Sequence, residues 1–247
     1  MAPASDLLLR TGLAPLLLAQ GLWVRMRATR LPEPPGPRAG GDGDGLRMLI
    51  LGDSSAAGVG AETQAAALGV QLAAALAEHG PVSWHLEAAT GATTKDSLGK
   101  LPLLPEASFD LAVLVHGVND TTGFVSPRRF MARQNALIDA LRTRHAVKRF
   151  VLSGVPPMHH FPLLPQPLRW VLGCHAERLD QVLAELAQAH SDVAHLALDL
   201  PYEPHLVARD GYHPSEAAYA LWAGHLAQVI RAMDRSATGE HPAADAL

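Results

Sequence analysis

Gly52-Asp53-Ser54 ends a short apolar run, Met48 to Leu51, and presents a serine hydroxyl where a strand would stop. In a parallel α/β sheet that point is the rim at which ligands bind. A serine hydroxyl is a weak nucleophile at neutral pH. It needs a base within hydrogen-bond reach and a third group to hold that base. Asp210-Gly211-Tyr212-His213 contains both partners, a carboxylate and an imidazole three residues apart in a turn-rich segment. The carboxylate can grip one ring nitrogen and leave the other for the serine. The chemistry implied is that of a serine hydrolase. Val115-His116-Gly117-Val118-Asn119-Asp120 ends a second apolar run, Leu111 to Val115, in a glycine and a polar pair. Between the two runs lies Ala88-Ala89-Thr90-Gly91-Ala92-Thr93-Thr94, a small-residue loop that lets a backbone N–H approach a ligand closely. Singly, each fragment reads as an ordinary turn; their order along the chain gives them weight.

Gly-Asp-Ser, a loop glycine, Gly-x-Asn-Asp and Asp-x-x-His, in this order, resemble the SGNH superfamily of GDSL-type esterases and lipases over roughly residues 47–234. The resemblance implies that Ser54 is the nucleophile, His213 the general base and Asp210 the group that orients it. It further implies an oxyanion hole made by the backbone N–H groups of Ser54 and Gly91 and the side-chain amide of Asn119. Gly99 lies close to Gly91, and spacing alone does not separate the two. Preformed donors of this kind are a large catalytic term, with one donor worth roughly 3–4 kcal/mol in a serine protease. Ser55 stands where the family name has leucine, a position without a chemical role in the family. Asp53 is assigned a structural role in shaping the turn, and Asp120 receives none.

The expected reaction is hydrolysis of a carboxylic ester, lipid-like or of small acyl groups, through an acyl-enzyme. A thioesterase, a carbohydrate deacetylase or an acyltransferase would use the same triad. A membrane-associated binding protein without turnover is the alternative outside catalysis. Ala56-Ala57-Gly58-Val59-Gly60 lacks the lysine of a Walker loop and the third glycine of a dinucleotide fingerprint. No cofactor is expected. Of thirteen histidines only His159 and His160 are adjacent, and side chains adjacent on an extended segment diverge. With no His-Glu-x-x-His and a single cysteine, no metal site is expected.

These residues need a sheet edge to gather them. Strands are expected at 47–52, 83–88, 111–116, 149–154 and 194–198, alternating with helices at 64–79, 127–144, 168–190 and 214–233. Such alternation argues for a parallel sheet covered on both faces. The resemblance makes it an α/β fold, a three-layer α/β/α sandwich with a flavodoxin-like five-stranded sheet. The hydrolase domain is placed at 46–235. At 247 residues and 48% hydrophobic content, the chain can build one large core. A net charge of −4 without a basic cluster excludes nucleic acid as an expected partner. The lone Cys174 permits no intrachain disulfide and reads as a small core residue.

After the fourth strand, 155–170 carries five prolines among apolar side chains. It reads either as a rigid loop packed on the core or as an apolar wall for an acyl chain, with Met158, Phe161 and Leu163 as candidate substrate contacts. Residues 1–30 are expected as an N-terminal apolar helix. The uncharged stretch from Thr11 to Val24 is short for a membrane span of about 20 residues, and no lysine or arginine precedes Leu7 as in a signal peptide. The helix either packs on the domain or a second subunit, or lies in a membrane interface through Leu7 to Met26. The interfacial reading is preferred because apolar positions nearly encircle it. A cytoplasmic location, with membrane association, is the corresponding expectation; the oligomeric state is left open. Residues 31–45, rich in proline and glycine, read as a linker that lets helix and domain move semi-independently. Residues 236–247 read as a flexible tail.

Overall fold

The computed structural model describes residues 3–41, 45–199, 201 and 203–238, with side chains from residue 12 to 235. The chain opens with helix α1 (Pro3–Arg27), followed by β1 (Ala39–Gly40), β2 (Leu46–Gly52), α2 (Leu68–Ala77) and β3 (Val82–Ala88). Then come α3 (Thr94–Lys100), β4 (Leu111–Val115), α4 (Val118–Thr122), α5 (Pro127–His145) and β5 (Arg149–Ser153). Helix α6 (Leu168–Ala189), β6 (Val193–Leu196) and α7 (Glu216–Thr238) complete it.

The sheet order is β1-β3-β2-β4-β5-β6, parallel except for β1, which pairs antiparallel with β3. Without β1 the order is that of the flavodoxin-like doubly wound sheet. The sequence implied five strands; the structure has six. The extra strand has only two residues and no apolar alternation to announce it.

Alternation within β2 explains the three layers. Met48 and Ile50 pack with Leu72, Trp222 and Ile230 of α2 and α7 on one face. Leu49 and Leu51 pack with Ile138 and Leu179 of α5 and α6 on the other. All four are fully buried, each worth about 1.5–3 kcal/mol of apolar burial, so the strand reads as one continuous apolar run.

The composition of residues 31–41 suggested a linker, but they carry defined contacts. Glu33 pairs with Arg38 and accepts from the Thr90 N–H and hydroxyl at 2.7 and 2.8 Å. Gln64, buried, donates through its side chain to Pro34 O and Ala57 O. Helix α1 docks on the domain through Leu17, which enters the core, and through Gln20. The Gln20 side chain donates to Gln166 O at 2.6 Å and accepts from the Leu168 N–H at 3.0 Å, at the start of α6. Among the described residues no helix is long and apolar enough to cross a membrane. Residues 236–238 continue α7; the rest of the expected tail, 239–247, lies outside the described residues.

Candidate active site

The switch point of this sheet, where the chain's winding reverses, lies between β2 and β4, and such crevices are where α/β sheets bind ligands. Ser54 follows β2 and Asn119 follows β4, one on each side of it. Gly52 permits the turn. A Cβ there would sit 2.5 Å from both the Ala56 Cβ and the Val115 carbonyl oxygen, so only glycine lets the strand end against β4. Asp53 then folds under the turn, its Oδ1 accepting from the Ser55 N–H at 2.9 Å. Burial pushes the Asp53 pKa up to about 6, against the backbone bonds to Ser55 and Ala56 and the nearby His213.

His213 reaches this turn from the opposite end of the chain. Its Nε2 lies 2.9 Å from Ser54 Oγ and its Nδ1 lies 2.6 Å from Asp210 Oδ2. The second Asp210 oxygen accepts from the N–H groups of Tyr212 and His213, both at 3.0 Å, which fixes the turn that holds the ring. Burial of Asp210 works to raise its pKa. The His213 side-chain and backbone bonds, with the Tyr212 N–H, outweigh burial and hold the carboxyl below its ordinary value. It is therefore an ionised acceptor at neutral pH. Tyr212, which the sequence reading did not single out, packs edge-on against both His213 and Phe161.

The donors expected for an oxyanion line the same cleft as Ser54: Gly91 and Asn119 both border it. Gly91 has φ +83°, a conformation costly for other residues, while Gly99 lies within α3. Among the described residues neither the Ser54 nor the Gly91 N–H has a protein acceptor. The Asn119 amide donates one hydrogen to Ala92 O at 3.0 Å, which binds the two loops together and leaves its second hydrogen for a ligand. Asp120, without a role in sequence, is fully buried. It accepts from the Thr94 N–H and hydroxyl and pairs with Arg133, anchoring α3 beneath the site. His116 is also buried, bonded to Ser97 Oγ at 2.8 Å, and burial lowers its pKa to about 4. It stays neutral at pH 7.

The three apolar candidates separate. Phe161 borders a small cavity of about 90 Å³ that also reaches Ser54 and His213. Leu163 lines a larger cleft of about 1370 Å³ that opens on Ser54, Gly91, Asn119 and His213. Met158 lines neither; it is fully buried in the core, on the inward side of its loop. The adjacent His159 and His160 do not diverge, because Met158–His160 forms a 3-10 turn that brings their rings to 4.1 Å.

A doubly wound sheet that carries Asp, His and Ser in hydrogen-bonded series at its switch point can perform nucleophilic acyl chemistry. Comparison with known proteins gives the class. Residues 50–221 match the GDSL-like lipase/acylhydrolase family, and the chain belongs to that family. It is 32% identical over 200 residues to the GDSL-like esterase Rv1075c of Mycobacterium tuberculosis. That match takes in 75% of this chain, and the chain spans 62% of the length of the relative. Among solved structures it is similar to TesA (TM-score 0.61, 20% identity, 76% of this chain and 99% of that one). It is also similar to the lipase/acylhydrolase from Enterococcus faecalis (TM-score 0.59, 21% identity, 76% and 96%). At such identities these likenesses carry the fold alone.

Proposed function

We propose that this protein is a serine-dependent carboxylic ester hydrolase working through an acyl-enzyme. The observation that carries the reading is the unbroken series Asp210 Oδ2, His213 Nδ1, His213 Nε2 and Ser54 Oγ, at 2.6 and 2.9 Å. Ser54 Oγ attacks the acyl carbon as His213 Nε2 takes its proton, and Asp210 stabilises the imidazolium that results. The carbonyl oxygen, now negative, takes hydrogen bonds from the Ser54 and Gly91 N–H groups and the Asn119 amide. Collapse expels the alkoxide, which His213 protonates. Water, deprotonated by the same histidine, then releases the acid and restores Ser54.

The apolar lining around Phe161 and Leu163 supports an apolar acyl group as substrate. Hydrolysis of p-nitrophenyl esters from acetate to palmitate by the wild type and by Ser54→Ala tests this. Activity that disappears with the substitution is expected. Equal rates for the two proteins on every ester would exclude Ser54 as the nucleophile for them.

The outer face of α1 supports contact with a membrane surface as well. Leu16, Trp23 and Met26 are exposed there, and Arg27 lies over the Trp23 ring. An amphipathic ring beside cationic side chains suits the headgroup level of an anionic bilayer.

A further inference from the structure

The family match begins at residue 50, after α1, yet α1 closes one side of the catalytic cleft. Leu17, Leu18 and Leu22 line it together with Phe124, Leu163 and Leu164, making an apolar slot that leads to Ser54. The helix is held there by the burial of Leu17 and the two Gln20 hydrogen bonds, so this wall belongs to the folded domain. Leu18 and Leu22 remain 69% and 62% exposed beside the cleft, so their apolar surface is open to a ligand there.

Charge within the cleft has one sign to spare. Among the described residues that line it the only carboxylate is Asp210, already engaged with His213, whereas Arg25 and Arg30 also line it. Neither arginine has an acidic partner among the described residues. The segment after α1 is pinned beside the catalytic loops by Glu33, which accepts from Thr90, the neighbour of Gly91. A guanidinium presents a planar fork that matches a phosphate or carboxylate.

We propose that α1 is part of the substrate site. The site takes an ester with an extended apolar acyl chain, laid along Leu18 and Leu22, whose alcohol portion carries an anionic group, a phosphate, held by Arg25 and Arg30. This rests on the reading of Ser54 as nucleophile. Water adds across the carboxylic ester to give a fatty acid and the phosphate-bearing alcohol, and the phosphate linkage is untouched.

The test is a binding measurement, so that it stands apart from turnover. The full chain carrying Ser54→Ala is titrated calorimetrically with octyl phosphate, ethyl phosphate and 1-O-octylglycerol, each kept monomeric. Octyl phosphate is expected to bind at least tenfold more tightly than either of the others. Arg25→Gln with Arg30→Gln should erase its advantage over octylglycerol. Leu18→Ser with Leu22→Ser should erase its advantage over ethyl phosphate. All four side chains are exposed or border the cleft, so these changes spare the core. Equal binding of octyl phosphate and octylglycerol by the parent would overturn the proposal, as would no detectable binding of any of the three. So would an advantage that survives the paired arginine substitutions. Failure here with Ser54-dependent cleavage of p-nitrophenyl esters intact removes only the substrate assignment; loss of that cleavage removes the hydrolase reading itself.

Discussion

Asp53→Asn should make the protein more stable at neutral pH, by an amount that depends on pH in a defined way. The carboxyl is 2% exposed, and its folded-state pKa is pushed up by burial from 3.8 to about 6. Between those values the folded protein holds a proton that the unfolded chain has lost. Stability from this group is therefore fully present below pH 3.8 and declines as pH rises through about 6. At 1.36 kcal/mol per pH unit, the span corresponds to about 3 kcal/mol, an upper bound because local relaxation lowers it. Asparagine resembles the protonated acid: its carbonyl can still accept from the Ser55 N–H. Urea unfolding of both proteins from pH 4 to 8 measures the effect. The difference should be near zero at pH 4, grow through pH 5 and 6, and level off by pH 7. Asp210, whose lowered pKa acts in the opposite sense, is present in both proteins and cancels in the difference. A difference that is flat with pH, or that favours aspartate at pH 7, would refute the assignment of a costly buried charge at this turn.

Asn119→Ala should lower kcat by about 10²- to 10³-fold, the cost of one oxyanion donor, with a smaller effect on KM. Steady-state kinetics on a p-nitrophenyl ester measures it, and a loss below about tenfold would remove the amide from the oxyanion hole. The outer face of α1 should carry the protein onto anionic vesicles. Sedimentation with phosphatidylglycerol vesicles is expected to weaken severalfold on Trp23→Ser with Met26→Ser, and unchanged pelleting would end the membrane reading.

The candidate site was legible in sequence as a gathering of residues because each of its pieces is set by local rules. A buried strand that ends at a glycine must turn, and the residues after the turn lie on the rim; Ser54 and Asn119 are of this kind. Asp210 and His213 are three apart and meet within one turn, so their pairing needs no long-range knowledge. What sequence missed depended on partners far along the chain. Strand β1 is held by pairing to His85 and Trp84 and by the Glu33 and Arg38 contacts, none of which leaves a mark on Ala39 and Gly40 themselves. The helix expected from residue 64 begins at Leu68, because Gln64 is drawn into a 3-10 turn whose side chain ties Pro34 to Ala57. Helix α3 had a readable start, Thr93 with Asp96 in a capping box, but its seven residues carry no apolar stripe to extend the signal. Met158 and Phe161 look alike in a proline-rich loop; both join the core cluster, and only the packing under α6 decides that Phe161, and not Met158, also borders the cavity.

The N-terminal helix carries the same lesson further. A helix apolar on nearly every side reads as buried or as lipid-bound. Here the apolarity is divided among three surroundings. Leu17 meets the core, Leu18 and Leu22 border the cleft, and Leu16, Trp23 and Met26 face outward. A hydropathy pattern records how much of a helix avoids water, but not what it turns to instead. Only the fold can apportion the faces, and it assigns the cleft-facing one to the side of the site that the four motifs leave open. If the motifs fix the reaction, the role proposed for α1 is to decide which ester undergoes it.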